Sequence, residues 1–334
     1  MSEKLEICFI TSHVDITVGS YRIFIKDLAD YFTELGFRTY INELPKKINN
    51  NLVFILGKSD SKKIEDYKKK YPNNLIGIIN PAGDTSSRAD FIIVGSLEEK
   101  DSLAKNKNVF LYPLVEKMYS KVIPKKHTDN NRVVIGMHGS FTHLSKFSPH
   151  LKKALEEFSK DVDIVLKIIS NKNAKEWSYG RPKIPSIEFL DWDFEKTSKD
   201  LLSCDIGIIP NITDNTPLFK TTSFTKGLYT SDYFFRFKNK SNGGRMFVFI
   251  QHGIPVIADF TPSNLHILGN PENGYAVFNK DGWLNALKEL SNAEKRNTIS
   301  RNALIEFNRL YNPLDWVNKL AKNIQQIEKY ANNN

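Results

Sequence analysis

Short runs rich in isoleucine, valine and phenylalanine alternate with amphipathic segments along most of this chain. Such runs are typical of strands buried on both faces of a parallel sheet, and the amphipathic segments are typical of the helices that connect them. In the first half, strands are predicted at residues 5–11, 39–41, 52–56, 75–79, 91–94 and 109–112. Residues 21–35 place their apolar side chains at helical spacing, and Gly36 follows as a C-terminal cap.

A second alternating series follows a polar, lysine-rich stretch at residues 116–131, which contains Pro124 and is predicted to link two domains. The series predicts strands at 133–137, 164–169, 187–190, 206–209 and 255–258, and helices at 151–158, 197–202 and 245–251. We therefore expect an α/β fold with two Rossmann-like domains that face a cleft, with ligands at the carboxyl ends of the strands. The predicted division is residues 1–118, a linker at 119–131, residues 132–312, and a C-terminal helix within 313–334 that packs back on the first domain and ends in a disordered tail.

Length and composition fit this division. The 334 residues exceed the roughly 250–300 at which single cores stop growing. No apolar run approaches the roughly 20 residues that a membrane span requires, and the N-terminus lacks a signal-peptide cleavage site, so a cytoplasmic protein is expected. The two cysteines, Cys8 and Cys204, lie in or beside strand-like runs and are expected to be buried, reduced thiols.

The net charge of +9 favours anionic partners. A membrane surface and phosphorylated substrates both qualify, and peripheral association with an anionic inner membrane is one expectation. No nucleic-acid-binding module accompanies the basic runs, so nucleic acid is not an expected partner.

The strongest candidate for a binding site is the segment KNKSNGGRMFVFIQHGIPVIAD, residues 238–259. A cap, a glycine pair that allows close backbone approach and two basic side chains precede a helix, which suits a diphosphate. The groups concerned are Lys240, Ser241, Asn242, Gly243, Gly244 and Arg245.

A second glycine turn follows the first strand of the same domain, at His138, Gly139 and Ser140. Two such turns in one domain strengthen the prediction of an anionic ligand, and His138 could contact a phosphate or a sugar hydroxyl. Lys146 and Lys167 could face the same crevice; solvated surface lysines and a hydrogen-bonded loop histidine are the alternatives.

Several motifs resemble those of the GT-B glycosyltransferases, particularly retaining family 4 and related enzymes of bacterial polysaccharide synthesis. The resemblance covers nearly the whole chain and rests on residues 89–96 (ADFIIVGS), 111–114 (LYPL), 135–140 (IGMHGS), 204–211 (CDIGIIPN) and 253–258 (GIPVIA).

The resemblance implies roles for residues in both halves. In the second half, Asp191 and Trp192 would contact the nucleotide base and Asn211 would belong to the donor site; packing is the alternative for Trp192. In the first half, Gly19, Ser20 and Tyr21 would lie on the acceptor side, with the stretch from Asn80 to Asp84 as a further candidate. His13, Asp15 and Asp84 would be candidates for acid–base or positioning roles, although such residues at strand ends are also common turn formers.

One departure concerns the pair of glutamates, eight residues apart, that the retaining family usually carries. Their positions, counted back from Gly253, hold Lys240 and Val248. A retaining enzyme is still expected, but the missing pair leaves the stereochemical outcome open. Because the sequence offers basic groups and no DxD-like dyad, we expect no metal and no cofactor.

The resemblance therefore implies transfer of a sugar from a nucleotide-sugar donor to a glycan or lipid-linked acceptor. A nucleotide-sugar epimerase and an inactive nucleotide-sugar-binding relative are the alternatives. The aromatic-rich residues 214–240 do not fit the alternation and are interpreted as an insertion over the cleft or against a partner, or as an irregular packed loop.

Overall fold

The computed structural model describes residues 5–80, 88–103, 108–171, 177, 180–211 and 242–332, with only the backbone of 102, 142, 145, 146 and 328–332. The chain divides into two compact units. The first comprises Met1–Lys117 together with Tyr311–Asn334, and the second comprises Met118–Leu310.

The first unit is built on a six-stranded sheet in which all strand pairs are parallel. Its strands, in chain order, are Glu6–Ile10 (β1), Arg38–Ile41 (β2), Leu52–Leu56 (β3), Ile76–Ile79 (β4), Phe91–Val94 (β5) and Val109–Leu111 (β6). Their order across the sheet is β2-β1-β3-β4-β5-β6. The connections that leave β1 and β3 therefore run in opposite directions across the sheet, and we call the place between these two strands the reversal point of the sheet.

Helices cover both faces of this sheet. They are Gly19–Tyr21 (α1), continued by a π-helical turn Arg22–Asp27 and by Leu28–Glu34 (α2), then Ile64–Lys70 (α3), Leu97–Ser102 (α4) and the C-terminal helix Pro313–Asn332. Because successive strand residues point to opposite faces, Ile7 and Phe9 pack with α2 and the C-terminal helix. Cys8 packs on the other face, with Ile64 of α3.

The second unit contains another six-stranded parallel sheet. Its strands are Arg132–His138 (β7), Asp163–Ser170 (β8), Ser186–Asp191 (β9), Ile206–Ile209 (β10), Val256–Asp259 (β11) and Tyr275–Val277 (β12), in the order β12-β11-β10-β7-β8-β9. Its helices are Pro149–Phe158 (α5), Thr197–Leu202 (α6), Gly244–Gln251 (α7), Pro262–Leu268 (α8), Lys280–Glu289 (α9) and Ala293–Leu310 (α10). Here the reversal point lies between β7 and β10.

The expected α/β fold with two parallel sheets is confirmed. Every predicted strand is present, with ends within one residue of those predicted. The sequence did not single out β12 or helices α3, α4, α8, α9 and α10. The aromatic-rich segment 214–240 lies outside the described residues.

The stretch predicted to be a linker is held firmly to the second unit from Met118 onward. The backbone N–H of Lys125 donates to the carbonyl of His252 at 2.9 Å, and its Nζ donates to Asp205 Oδ1 at 2.9 Å. The imidazole of His127 is 2% exposed and bonds the carbonyl of Gly253. Tyr119, Lys125 and His127 therefore contact the second unit, while other residues of the stretch, such as Ile123, are exposed.

Both cysteines are free and buried, as expected. Burial raises the pKa of each thiol to about 12, so neither is a thiolate at neutral pH. Among the described residues, no helix combines the length and apolar character needed to cross a membrane.

Candidate functional site

The candidate site lies at the carboxyl edge of the second sheet, between β7 and β10. In open parallel sheets, ligands bind where two adjacent strands send their connections in opposite directions. His138 ends β7 and is followed by Gly139, while Pro210 and Asn211 follow β10. Helix α7 starts near both strand ends, because Arg245 in its first turn contacts residues that follow each of them.

Arg245 joins the two strand ends. Its Nη2 donates to the carbonyl of Pro210 at 3.2 Å and to Asn211 Oδ1. On the other side its Cδ lies 3.1 Å from where a Cβ on Gly139 would be, and Gly139 has a φ of +115°. Only glycine combines that backbone conformation with so close an approach. Three residues predicted from separate motifs, Gly139, Asn211 and Arg245, are thus brought together.

Asp259, at the end of β11, supplies negative charge to this cluster. The carboxylate is fully buried and its Oδ2 accepts a hydrogen bond from the Asn211 backbone N–H at 2.8 Å. Burial lowers the pKa of Arg245 to about 10, an effect that the charge of Asp259 opposes. The guanidinium therefore remains positive at neutral pH. Asp259 is the last residue of the predicted segment 238–259 but was not among the groups expected to contact the ligand.

Two nitrogen donors of the cluster are enclosed and have no hydrogen-bond partner among the described residues. They are Arg245 Nη1 and Asn211 Nδ2, the other nitrogens of the two side chains that bond each other. An unpaired enclosed donor costs about 1–3 kcal/mol, and such groups in folded proteins usually have a reason. Two adjacent N–H donors beside a fixed positive charge suit the oxygens of a phosphate.

His138 contributes to the cluster as a neutral group. Its Nε2 lies 3.0 Å from the carbonyl oxygen of Arg245 and must donate to it, so the proton sits on Nε2. The ring meets Phe249 edge to face at a centroid distance of 4.8 Å. Burial lowers the pKa of His138 to about 3. With Nε2 engaged, Nδ1 can only accept, so of the two predicted contacts a sugar hydroxyl fits and a phosphate oxygen does not.

The glycine pair before α7 acts differently from the prediction. Asn242 Oδ1 accepts a hydrogen bond from the Gly244 backbone N–H at 3.1 Å, so that N–H is not available to a ligand. A Cβ on Gly243 would lie 2.8 Å from the ring of Phe247, so this glycine is required for packing. Asn242 is a cap, and Lys240 and Ser241 lie outside the described residues.

Lys167 does not lie at the predicted edge. It pairs in register with Gly136, two residues before the end of β7, and its Nζ donates to Ser203 Oγ at 2.7 Å. Glu188 Oε2 is 3.7 Å from the same nitrogen. Because each strand residue adds about 3.3 Å of length, a residue in the middle of β8 lies well away from the carboxyl edge where the crevice was predicted.

The remaining predicted donor residues lie along the same edge or beyond description. Ser140 is exposed directly after the Gly139 turn, and Lys146 ends a 3-10 helix at Phe141–Lys146 that is described by its backbone alone. Asp191 ends β9, the outermost strand, and the Trp192 backbone N–H donates to the carbonyl of Ser170 at 2.8 Å. Asp191 and Trp192 lie two strands away from β7, so only an extended ligand could contact them and the end of β7 together.

The first unit has a pocket at its own reversal point, at the carboxyl ends of β1, β3 and β4. It is lined by Thr11, His13, Ser20, Tyr21, Phe24, Ile25, Gly57, Lys58, Ser59, Ile79 and Asn80. The predicted acceptor-side residues Ser20 and Tyr21 and the candidate His13 are therefore brought together, with Gly19 beginning α1 beside them. Lys58 and Ser59 were not predicted, although their position directly after a buried strand was visible in the sequence.

Asp15 forms a turn instead of facing the pocket. Its Oδ1 accepts hydrogen bonds from the Thr17 hydroxyl at 2.7 Å and from the Thr17 backbone N–H at 2.9 Å. The hydroxyl bond and then the backbone bond lower the pKa of Asp15. The turn-forming alternative explains this residue. Asp84 lies outside the described residues.

The two parallel sheets fit the fold of GT-B glycosyltransferases. No protein-family model matches the sequence, and no curated protein matches it. Solved structures, however, share the fold. A glycosyltransferase from Rickettsia africae ESF-5 aligns with a TM-score of 0.66 at 13% identity, over 97% of this chain and 98% of its own.

Two further structures align over nearly their whole length. Sucrose-phosphate synthase from Thermosynechococcus elongatus gives a TM-score of 0.63 at 12% identity, over 97% of this chain and 99% of its own. Anabaena HepE in complex with UDP and glucose gives 0.63 at 10% identity, over 96% and 100%. For TarM, this chain covers 57% of the longer protein. These similarities establish the GT-B fold.

Proposed function

We propose that this protein is a glycosyltransferase that moves a sugar from a nucleotide-sugar donor to a glycan or lipid-linked acceptor. The observation that carries the proposal is the pair of unpartnered donors, Arg245 Nη1 and Asn211 Nδ2, at the reversal point of the second sheet. Support comes from proteins of the same fold that were solved with UDP, namely HepE with UDP and glucose and GtfA with UDP and GlcNAc.

In the proposed reaction the donor's diphosphate lies against Arg245 and Asn211. When the bond between the sugar and the terminal phosphate oxygen breaks, negative charge grows on the diphosphate. A preorganised guanidinium stabilises that charge more than it stabilises the ground state. The acceptor hydroxyl forms the new bond to the sugar and loses its proton, for which His13 remains a candidate.

The groups around Arg245 suit the remainder of the donor. Neutral His138 can accept a hydrogen bond from a sugar hydroxyl through Nδ1. Val248, at the position of the second missing glutamate, is buried in the body of α7 and contributes no polar contact. We therefore propose that Arg245 carries the stabilisation of the leaving group without a metal. From the resemblance of the motifs to the retaining enzymes, we also propose that the anomeric configuration is retained. The stereochemistry of the product, read by NMR, tests the second point.

Substitution of Arg245 tests the donor site directly. We expect Arg245→Ala to weaken binding of UDP or GDP by about 1.5–3 kcal/mol, or roughly 10- to 150-fold, the scale of a hydrogen bond to a charged group. Isothermal titration calorimetry on the full chain measures it. Arg132→Ala is the matched control, because Arg132 begins β7 at the opposite edge and is exposed. Equal affinity in the wild type and Arg245→Ala would place the diphosphate elsewhere.

Turnover tests the enzyme class. Purified protein is incubated with a panel of UDP-, GDP-, CMP- and dTDP-sugars, with and without EDTA, and hydrolysis or transfer is followed. Activity that EDTA leaves unchanged is expected. Binding of a nucleotide with no turnover of any sugar would instead indicate an inactive nucleotide-sugar-binding protein, and neither binding nor turnover would refute the proposal.

We also propose peripheral association with an anionic membrane, in keeping with a role in bacterial surface polysaccharide synthesis. The aliphatic side chains of Val14 and Leu44 are 61% and 45% exposed, and Lys46 and Lys47 are exposed beside Leu44. The two loops leave neighbouring strands and are joined where Asn42 Oδ1 accepts from the Thr11 N–H at 2.8 Å. Sedimentation with anionic vesicles, but not with zwitterionic ones, is expected, and loss of it at high salt.

A further inference from the structure

The pocket of the first unit has an apolar floor and a polar wall. Phe24, Ile25 and Ile79 are buried beneath it, and hydroxyl groups of Ser20 and Ser59 lie among its lining residues. Such a mixture suits a small polar molecule with one hydrophobic face, as a sugar ring or a polyol has.

The described part of the lining also carries the positive charge of Lys58. Lys58 and His13 are the basic residues among the lining residues that the structure describes, and none of those residues is Asp or Glu. Lys58 is exposed and makes no hydrogen bond or ion pair with another described residue. The neighbouring Asp60 does not neutralise it, because its Oδ1 lies 2.6 Å from Lys63 Nζ and its Oδ2 accepts from the Ser12 backbone N–H at 2.6 Å.

Asn80 adds an acceptor to this wall. Its Oδ1 is enclosed and has no hydrogen-bond partner among the described residues. Its backbone has a φ of +44°, a conformation that asparagine adopts more readily than most residues. An oxygen acceptor of this kind pairs with a ligand hydroxyl and not with an anion.

We propose that this pocket receives an acceptor that carries a negative group next to free hydroxyls, such as an acidic sugar or a phosphorylated polyol. Lys58 meets the anionic group, His13 lies beside it in the lining, and Asn80 takes a hydroxyl. The inference rests on the proposed glycosyltransferase function and adds the charge of the acceptor, which neither the fold nor the donor site determines.

Paired probes test the inference on the full chain. Methyl β-D-glucuronide is compared with methyl β-D-glucoside, and glycerol 3-phosphate with glycerol, by ligand-observed NMR at low ionic strength. We expect the charged member of at least one pair to bind about fivefold more tightly, the upper end for an exposed ion pair. That preference should shrink as salt is added. The pair that shows it distinguishes an acidic sugar from a phosphorylated polyol.

Variants assign the preference to the pocket. Lys58→Gln should abolish it, whereas Lys62→Gln, an exposed lysine of the same 3-10 helix that does not line the pocket, should preserve it. Asn80→Gly keeps access to positive φ and should weaken both members of the preferred pair. Thermal unfolding confirms that each variant is folded.

The outcomes separate this inference from the proposed function. Equal binding within both pairs, binding of neither member, or a preference that survives Lys58→Gln would overturn the anionic acceptor. UDP binding, measured in the same samples, reports on the second unit and decides the donor site independently.

Discussion

At the scale of single residues, the candidate donor site depends on keeping one group charged and its neighbour neutral. Arg245 retains its charge with Asp259 nearby, while His138 donates from Nε2 to the Arg245 carbonyl oxygen. Protonation of His138 would place a second positive charge against Arg245 in a buried position, which burial and that charge both disfavour. The histidine therefore fixes the start of α7 without adding to its charge.

This arrangement predicts a pH dependence of stability that a variant can isolate. The pKa of His138 is about 3 in the folded protein and about 6.5 when unfolded, so below pH 6.5 the unfolded state binds the additional proton. Stability should fall as pH drops, by about 2 kcal/mol between pH 7 and pH 5, and His138→Gln should lack this part of the slope. Urea unfolding at both pH values measures it.

The exposed His150→Gln is the matched control for that experiment and should follow the wild type. Parallel slopes for His138→Gln and the wild type would show that His138 titrates freely in the folded protein. The buried neutral role assigned to it would then be wrong.

At the scale of elements, the turn between α7 and β11 packs against residues 124–125, near the start of the second unit. Gly253 has a φ of +70°, and its backbone N–H donates to the carbonyl of Ile250 at 2.9 Å. A Cβ at this position would lie 2.7 Å from Pro124 Cβ and 2.8 Å from the Lys125 backbone nitrogen. The glycine is thus required by its backbone conformation and by its neighbours.

Two alanine substitutions separate these requirements. Gly253→Ala should destabilise the protein by about 2–4 kcal/mol, from left-handed strain of about 1 kcal/mol plus overpacking. Gly180→Ala has a similar φ of +74° but meets only the end of the Lys152 side chain at 3.3 Å, so about 1 kcal/mol is expected. Chemical denaturation compares them, and equal losses would show that residues 124–125 yield to the added methyl group.

The sequence predicted best those elements whose hydrophobic pattern or flanking glycines mark them clearly. Helix α7 was predicted to within one residue because a glycine pair marks its start and Gly253 follows its end. Strand β12, Tyr275–Val277, was not predicted, whereas the equally short β6 was. For Lys167 the sequence left the crevice and a surface position as alternatives, because periodicity gives a strand's faces but not which of its residues reaches the edge.

At the scale of the whole molecule, two alternating series were enough to predict two parallel sheets. The strand orders were not predictable, because they depend on pairing between residues distant in the chain. The two reversal points, and with them the positions of both candidate sites, therefore came from the structure. In the cluster, Asn211 follows β10 and contacts Arg245 in α7, 34 residues further along the chain. It also contacts Asp259 at the end of β11, 48 residues further along.

The first unit contains residues from both ends of the chain. From the C-terminal helix, Val317, Leu320, Ala321 and Ile324 enter the core that includes Phe9 and Phe32. Their spacing puts them on one face of the helix. Burial of a large aliphatic side chain contributes about 1.5–3 kcal/mol, so the three largest of these side chains contribute about 5–9 kcal/mol, comparable to the entire stability of a typical domain.

A chain ending at residue 310 should therefore lose the first unit and keep the second. Hydrogen exchange followed by mass spectrometry should show loss of protection in β1 and β3, while β7 and β8 remain protected, because none of the residues that pack in the second unit's core comes from the C-terminal helix. A chain ending at residue 327 retains the buried face of the helix and is the control. Undiminished protection of β1 and β3 in the shorter chain would mean that strand pairing and α2 suffice to hold the first sheet, and that the C-terminal helix only covers a core that is already formed.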